Sequence, residues 1–178
     1  MTELGLEPGR VRVVPYSDAW PALYEAEIAR LIALLNAAGV TVVFEHTGST
    51  AVRGLAAKPI IDILAGFASG DDRTTVIDVL QRAGYVHRGE QGIPGRDFFR
   101  LGEPRRYHLH LTMIDSHFWR EQHDFREWLR AHGETAAEYA TLKYALAEQF
   151  PMDREAYMAG KARFIQDVLR TARASRQA

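Results

Sequence analysis

The chain has 178 residues, 47% apolar and 25% charged, which is enough to bury a full hydrophobic core and is typical of a folded protein rather than a disordered one. A formal net charge of −1 gives no general attraction to nucleic acid or to an anionic membrane, so any basic patch has to be local. The absence of cysteine excludes disulfides, zinc–thiolate sites and a cysteine nucleophile, and no apolar run nears the roughly 20 residues that span a bilayer. With no signal-peptide segment at the start, the cytoplasm is the expected location. Repeats, low-complexity tracts and linkers are missing, so one domain over 1–178 is expected, with a sheet part at about 11–115 and a helical part at about 116–174.

In chain order, Val11 to Pro15 predicts a short edge strand that Pro15 ends. Ser17 or Asp18 then caps a helix that tolerates Pro21 in its first turn, with Tyr24, Ile28, Leu31 and Leu35 on one face and Gly39 as its stop. Thr41 to His46 is β-branched and aromatic and predicts a strand. Lys58 to Phe67 predicts another, buried on both sides, with Ile60, Asp62 and Leu64 on one face and Ile61 and Ile63 on the other. Asp71-Asp72 opens a second helix whose inward residues are Val76, Val79, Leu80 and Ala83 and whose stop is Gly84.

Tyr85 to Gly95 predicts a short strand followed by a glycine-rich loop. Asp97 to Leu101 and Arg105 to Ile114 pair as an antiparallel hairpin around Gly102-Glu103-Pro104. In its second arm Tyr107, Leu109, Leu111 and Met113 share one face, and His108, His110 and Thr112 the other. Helices follow over Ser116 to His132, Glu134 to Phe150 and Asp153 to about Ala174, punctuated by Gly133 and Pro151. The fold class is α+β: a mixed sheet of four to five strands with flanking helices and a helical C-terminal part.

Two features point to chemistry. Gly48-Ser49, followed by Thr50, breaks the first strand with a turn of small residues, and such a turn offers backbone N–H groups to a phosphate. Asp62 is an isolated acid in an apolar strand, costly to bury unless paired; it reads either as a structural acid held by backbone amides or as a metal ligand and catalytic group. His108 and His110, two residues apart on a strand, point the same way and suit a shared metal or anion. If their strand neighbours that of Asp62, a carboxylate and two imidazoles meet, with His46 as a further candidate. That set favours Zn²⁺ or Mn²⁺ over an all-oxygen Mg²⁺ cage, although any of the three divalent ions is a candidate cofactor; no organic cofactor is expected.

On the C-terminal helices Arg126 and Arg130, Tyr139 and Lys143, and Tyr157 and Lys161 each lie one turn apart. Each pair reads either as ordinary helix surface or as a phosphate clamp, and Lys58 ahead of the Asp62 strand is a further phosphate candidate. Glu45 is a candidate general base. Neither a Walker A loop, nor GxGxxG, nor GxSxG is present, so P-loop, Rossmann and serine-elbow sites are excluded.

The segment His46-Thr-Gly-Ser-Thr-Ala-Val-Arg-Gly-Leu-Ala-Ala-Lys-Pro-Ile-Ile-Asp-Ile-Leu64 resembles the signature of the GrpB family, the UPF0157 group. Tyr107-His-Leu-His110, Phe125-Arg-Glu-Trp-Leu-Arg130, Glu138-Tyr-Ala-Thr-Leu-Lys143 and Tyr157-Met-Ala-Gly-Lys161 extend the resemblance from about Tyr16 to Leu169. It implies the fold of the nucleotidyltransferase superfamily, in which a Gly-Ser turn precedes an acid–hydrophobic–acid strand. Gly48-Ser49 and Asp62 fit that pattern, but Leu64 stands where the second acid belongs, a departure that GrpB-like sequences commonly share. Two acids hold the two metals of nucleotidyl transfer, so one acid implies a weaker or differently built centre. The resemblance therefore implies a nucleotide- or phosphate-binding cleft, either of a metal-assisted nucleotidyltransferase acting on a small molecule or of a catalytically silent module that assists or regulates a partner. The expected ligand is a nucleotide or phosphorylated small molecule. No membrane is expected, and nucleic acid is disfavoured by the near-neutral charge and the absence of RRM or KH signatures. The oligomeric state stays open.

Overall fold

In the computed structural model, which describes residues 4–68 and 72–176, five strands form one mixed sheet among five α-helices. The strands are β1 (Val43–Thr47), β2 (Ile61–Phe67), β3 (Val86–His87), β4 (Asp97–Leu101) and β5 (Tyr107–Met113). Their order across the sheet is β1-β2-β5-β4-β3. Only the β2–β5 pair is parallel. This pairing brings two stretches 46 residues apart side by side, with Asp62 opposite His108 and Leu64 opposite His110.

The helices are α1 (Trp20–Ala37), α2 (Arg73–Arg82), α3 (His117–Ala131), α4 (Gly133–Gln149) and α5 (Arg154–Ser175). Alternation along the central strands sends Ile61, Ile63, Leu109 and Leu111 to the face covered by α1 and α2. Tyr24, Ile28, Leu31 and Leu35 of α1 are buried there with Val76, Val79 and Leu80 of α2, the residues expected from helical spacing. The opposite face carries Asp62, Leu64, His108 and His110, and Leu64 packs on Phe118 and Trp119 of α3. Gly66 lies on that face as well, where a Cβ would come within 2.5 Å of the Trp119 ring, so the sheet needs glycine to let α3 approach. Among the described residues no helix is long and apolar enough to cross a membrane.

Several local expectations are corrected. Residues 11–15 form no strand: Val14 makes one isolated bridge to Ala57, while Val11 donates to the Pro151 carbonyl and is buried beside Leu146 and Tyr157. Neither Ser17 nor Asp18 caps α1; the cap position is Ala19, whose N–H donates to Ser17 Oγ at 3.4 Å. The first strand begins at Val43 rather than 41, and the second at Ile61 rather than 58, because Pro59 has no N–H to offer the ladder and the Ile60 N–H closes a turn on the Lys58 carbonyl. Asp71 lies outside the described residues, and Asp72 precedes α2 without a side-chain cap bond. Ser116 and Asp153 do cap α3 and α5, accepting from the N–H groups of Trp119 and Ala156.

Candidate functional site

Register across the sheet builds the floor of the site. Thr47, Asp62, His108 and Arg100 are successive cross-strand partners on β1, β2, β5 and β4. Directly opposed residues point to the same face, so these four side chains form a row on the side away from α1. A second row runs Glu45, Leu64, His110, Phe98. Above these rows, between the sheet and helices α3 to α5, lies a cavity of about 440 Å³.

At one end β1 breaks at Gly48 and a 3-10 turn covers Ser49–Ala51. Gly48 has φ +70°, and a Cβ there would stand 2.6 Å from Asp62 Oδ2, so backbone and carboxylate approach in a way that only glycine allows. Ser49 Oγ accepts from Lys143 Nζ at 2.9 Å, and the same ammonium donates to the Ala56 carbonyl. The Tyr–Lys pairs expected one turn apart are real contacts: Lys143 Nζ lies 4.6 Å from the Tyr139 ring centroid, and Lys161 Nζ lies 4.8 Å from that of Tyr157. Lys58 Nζ approaches the same Tyr157 ring at 5.4 Å. Burial, reinforced by neighbouring lysines, lowers Lys143 and Lys161 to about 7; burial also lowers Lys58, to about 8.

Asp62 is the acid that faces these lysines. Its carboxylate accepts from His108 Nδ1 at 3.2 Å, while His110 Nε2 stands 3.8 Å away, beyond a hydrogen bond. Burial alone would raise the Asp62 carboxyl, but the two imidazoles outweigh it and hold the group below the usual carboxylate range. Burial drives His108 down to about 4 against the opposing pull of Asp62. The bond to the Asp62 carboxylate calls for a proton on His108 Nδ1, and its Nε2 is buried without a partner among the described residues.

Of the expected set, Asp62, His108 and His110 meet on one face of the sheet, and His46 does not join them. His46 is a register partner of Ile63 and so projects to the opposite face, where it stacks on Tyr24 at 4.6 Å and bonds Thr50 Oγ1 through Nε2 at 3.0 Å. Among the described residues no three His, Asp or Glu side chains are arranged to hold a metal ion. Asp62 bonds His108 in a cavity whose other charged lining residues are Lys58, Lys143, Lys161, Arg96, Arg154 and Glu121, the last paired with Arg173.

Of the phosphate candidates, Gly48, Ser49, Thr50, Lys58, Tyr139, Lys143 and Lys161 all border the cavity. Arg126 and Arg130 do not. Arg126 donates to the His46 carbonyl and pairs with Glu45 Oε2, both at 2.8 Å, and Arg130 donates to the Ala51 carbonyl at 2.9 Å. They brace the turn from α3. Glu45 is held by that ion pair and by His123, so it is not a free base.

Arg96, Arg100 and Arg154 were not singled out by sequence. Arg100 carries a readable signal: it alternates with Phe98 in β4 and so falls on the face of His108 and His110 once the hairpin register is known. Arg154 is an ordinary first-turn arginine until α5 is docked. Leu64, where a second acid would stand, is fully buried against Phe118 and Trp119.

Residues 10–171 match the family described as GrpB protein. The UPF0157 protein PA4798 of Pseudomonas aeruginosa is 39% identical over 168 residues, covering 90% of this chain and 66% of that protein. The glutamate-rich protein GrpB of Alkalihalophilus pseudofirmus is 33% identical over 172 residues, covering 93% of this chain and 98% of that one. The crystal structure of conserved protein GrpB from Enterococcus faecalis superposes with a TM-score of 0.83 at 32% identity, over 94% of this chain and all of that one. More distant is the Cid1 poly(U) polymerase, with a TM-score of 0.54 at 12% identity over 76% of this chain and 44% of that chain, a likeness of fold alone. On these grounds the chain belongs to the GrpB family and has a nucleotidyltransferase-like fold.

Proposed function

We propose that this chain binds a nucleotide, or another small molecule carrying a polyphosphate group, in the cavity between Gly48-Ser49 and the lysines of α4 and α5. One observation carries the reading: Lys58, Lys143 and Lys161 converge on one cavity, and among the described residues none of them is in an ion pair. Buried cations without counter-ions are costly, and a bound polyanion removes that cost. The Gly-Ser turn offers backbone dipoles, and Ser49 Oγ and the lysines offer donors, so binding needs no metal. With Leu64 in place of the second acid, the site lacks the carboxylate pair for two-metal transfer, which supports a binding module over a nucleotidyltransferase.

The second reading is a metal-assisted nucleotidyltransferase acting on a small molecule. It is favoured by the fold and by the placement of Asp62 against the Gly48 turn. Thermal shift with ATP, CTP, GTP, UTP and inorganic triphosphate, each alone and with Mg²⁺, Mn²⁺ or Zn²⁺, separates the two. Binding without chemistry predicts stabilisation by triphosphate in chelator, lost in a Lys143→Gln, Lys161→Gln double variant. Stabilisation that needs a divalent ion, disappears in Asp62→Ala and accompanies turnover of nucleotide would establish the enzyme instead. No shift with any phosphate would refute both.

A further inference from the structure

The cavity has a second group of cations that the lysine end leaves unexplained. Arg96 and Arg154 line it, and Arg100, at its edge on β4, lies opposite His108 in register and shares the Phe98 ring with Arg96. Arg96 is 7% exposed, and its guanidinium is pinned: Nη2 donates to the Glu90 carbonyl at 2.7 Å, and Nη1 faces His110 Nδ1 at 3.5 Å. The guanidinium carbons of Arg96 and Arg100 lie 5.2 and 5.4 Å from the Phe98 ring centroid. Arg100 and Arg154 make no hydrogen bond and no ion pair among the described residues. The Nε atoms of all three arginines are buried without an acceptor.

Arg96 is tied to the Glu90 carbonyl, but no acid pairs with any of the three guanidinium groups among the described residues. After burial, the charge of Arg154 is the next influence lowering both Arg96 and Arg100, so Arg154 is near enough to repel each of them. Arginine forks match the oxygens of phosphate and carboxylate, and their positions here are set by the β4 register, the Phe98 ring and the start of α5. Lys58 lies within electrostatic reach of both ends, since Asp62, Arg154 and Arg100 all act on it.

We infer that Arg96, Arg100 and Arg154 form a second anion subsite, which takes a phosphate or carboxylate group separate from the polyphosphate held at Lys143 and Lys161. The inference rests on the polyphosphate reading for the first subsite and narrows it. The cavity accepts two anionic groups, either on one bis-anionic ligand or on a nucleotide and an acidic co-ligand. A neutral or singly phosphorylated molecule fills only part of it.

Calorimetry tests this with full-length protein first saturated with inorganic triphosphate and then titrated with inorganic phosphate. The expected result is a second binding event that weakens at least tenfold in Arg100→Gln and in Arg154→Gln, while the first event changes less than twofold. Because neither side chain donates a bond in the fold, both variants should melt at or above the parent temperature without ligand. If Arg154→Gln fails to fold, Arg154→Lys keeps the charge but loses the fork and should weaken the second event at least threefold. Absence of a second event, or its persistence in both glutamine variants, overturns the subsite while leaving triphosphate binding in place. Absence of the first event instead overturns the polyphosphate reading. A nucleoside 3′,5′-bisphosphate that displaces both anions supports the subsite and assigns them to one ligand; a second phosphate event that persists beside bound bisphosphate and is lost in Arg100→Gln supports it as the place of a co-ligand.

Discussion

Lys143 and Lys161 set how the site responds to pH. Burial holds each at about 7 in the folded chain, whereas unfolding returns them to 10.5. Between those values the unfolded chain holds more protons, so stability without ligand rises with pH over that window. A polyphosphate favours the ammonium form and reverses the trend for binding. From pH 7 to 9 the parent protein should gain stability relative to the Lys143→Met, Lys161→Met double variant, while its affinity for triphosphate falls roughly tenfold or more. Calorimetry at pH 8 in two buffers of different ionisation enthalpy should show uptake of about one to two protons. An affinity that is flat across this range would mean that the lysines do not face the phosphate.

Helix α3 lines the cavity through Phe118, Glu121, Gln122 and Phe125, while its Arg126 and Arg130 act on the turn from outside it. Arg126 ties the helix to the Glu45 carboxylate and the His46 carbonyl, and Arg130 ties it to the Ala51 carbonyl, so both ends of the Gly48-Ser49-Thr50 bend are anchored from outside. Arg126→Met leaves the His46 carbonyl without that donor and the half-buried Glu45 carboxylate with His123 alone, and should cost about 2–3 kcal/mol in urea unfolding. It should also weaken triphosphate binding by loosening the bend, an effect that Arg130→Met shares in smaller measure because that side chain is 43% exposed. Unchanged binding in both variants would show that the bend holds its shape without α3. Both arginines were readable as functional from their spacing, but spacing does not say whether a guanidinium turns toward a ligand or toward a carbonyl.

At the scale of the molecule, a chain of net charge −1 keeps a cluster of unpaired cations in one cavity. Attraction of an anion is therefore local rather than a property of the overall field. Salt should weaken triphosphate affinity, by roughly tenfold between 0.05 and 0.5 M, because the Debye length falls from more than 10 Å to a few ångströms. At a ligand concentration one hundred times Kd the bound state should be stabilised by about 2.7 kcal/mol. Calorimetry across the salt series checks the first expectation and melting with and without triphosphate the second; salt-independent triphosphate binding would mean that the cation cluster does not drive it.

Much of this architecture was legible in the chain itself. Helical spacing marked the buried face of α1, alternation divided Asp62 from Ile61 and Ile63, and the Tyr–Lys pairs at one-turn spacing proved to be contacts, because these patterns are local and backbone periodicity alone determines them. His46 was misread as a partner of Asp62 because its side depends on the β1–β2 register, which no local pattern encodes. The same holds for Arg100, which joins the site through its pairing with His108, and for Arg154, which joins through the docking of α5. Which residues alternate follows from the order of amino acids along the chain. Which of them meet follows from strand pairing and helix packing, where groups 46 residues apart, such as Asp62 and His108, become neighbours.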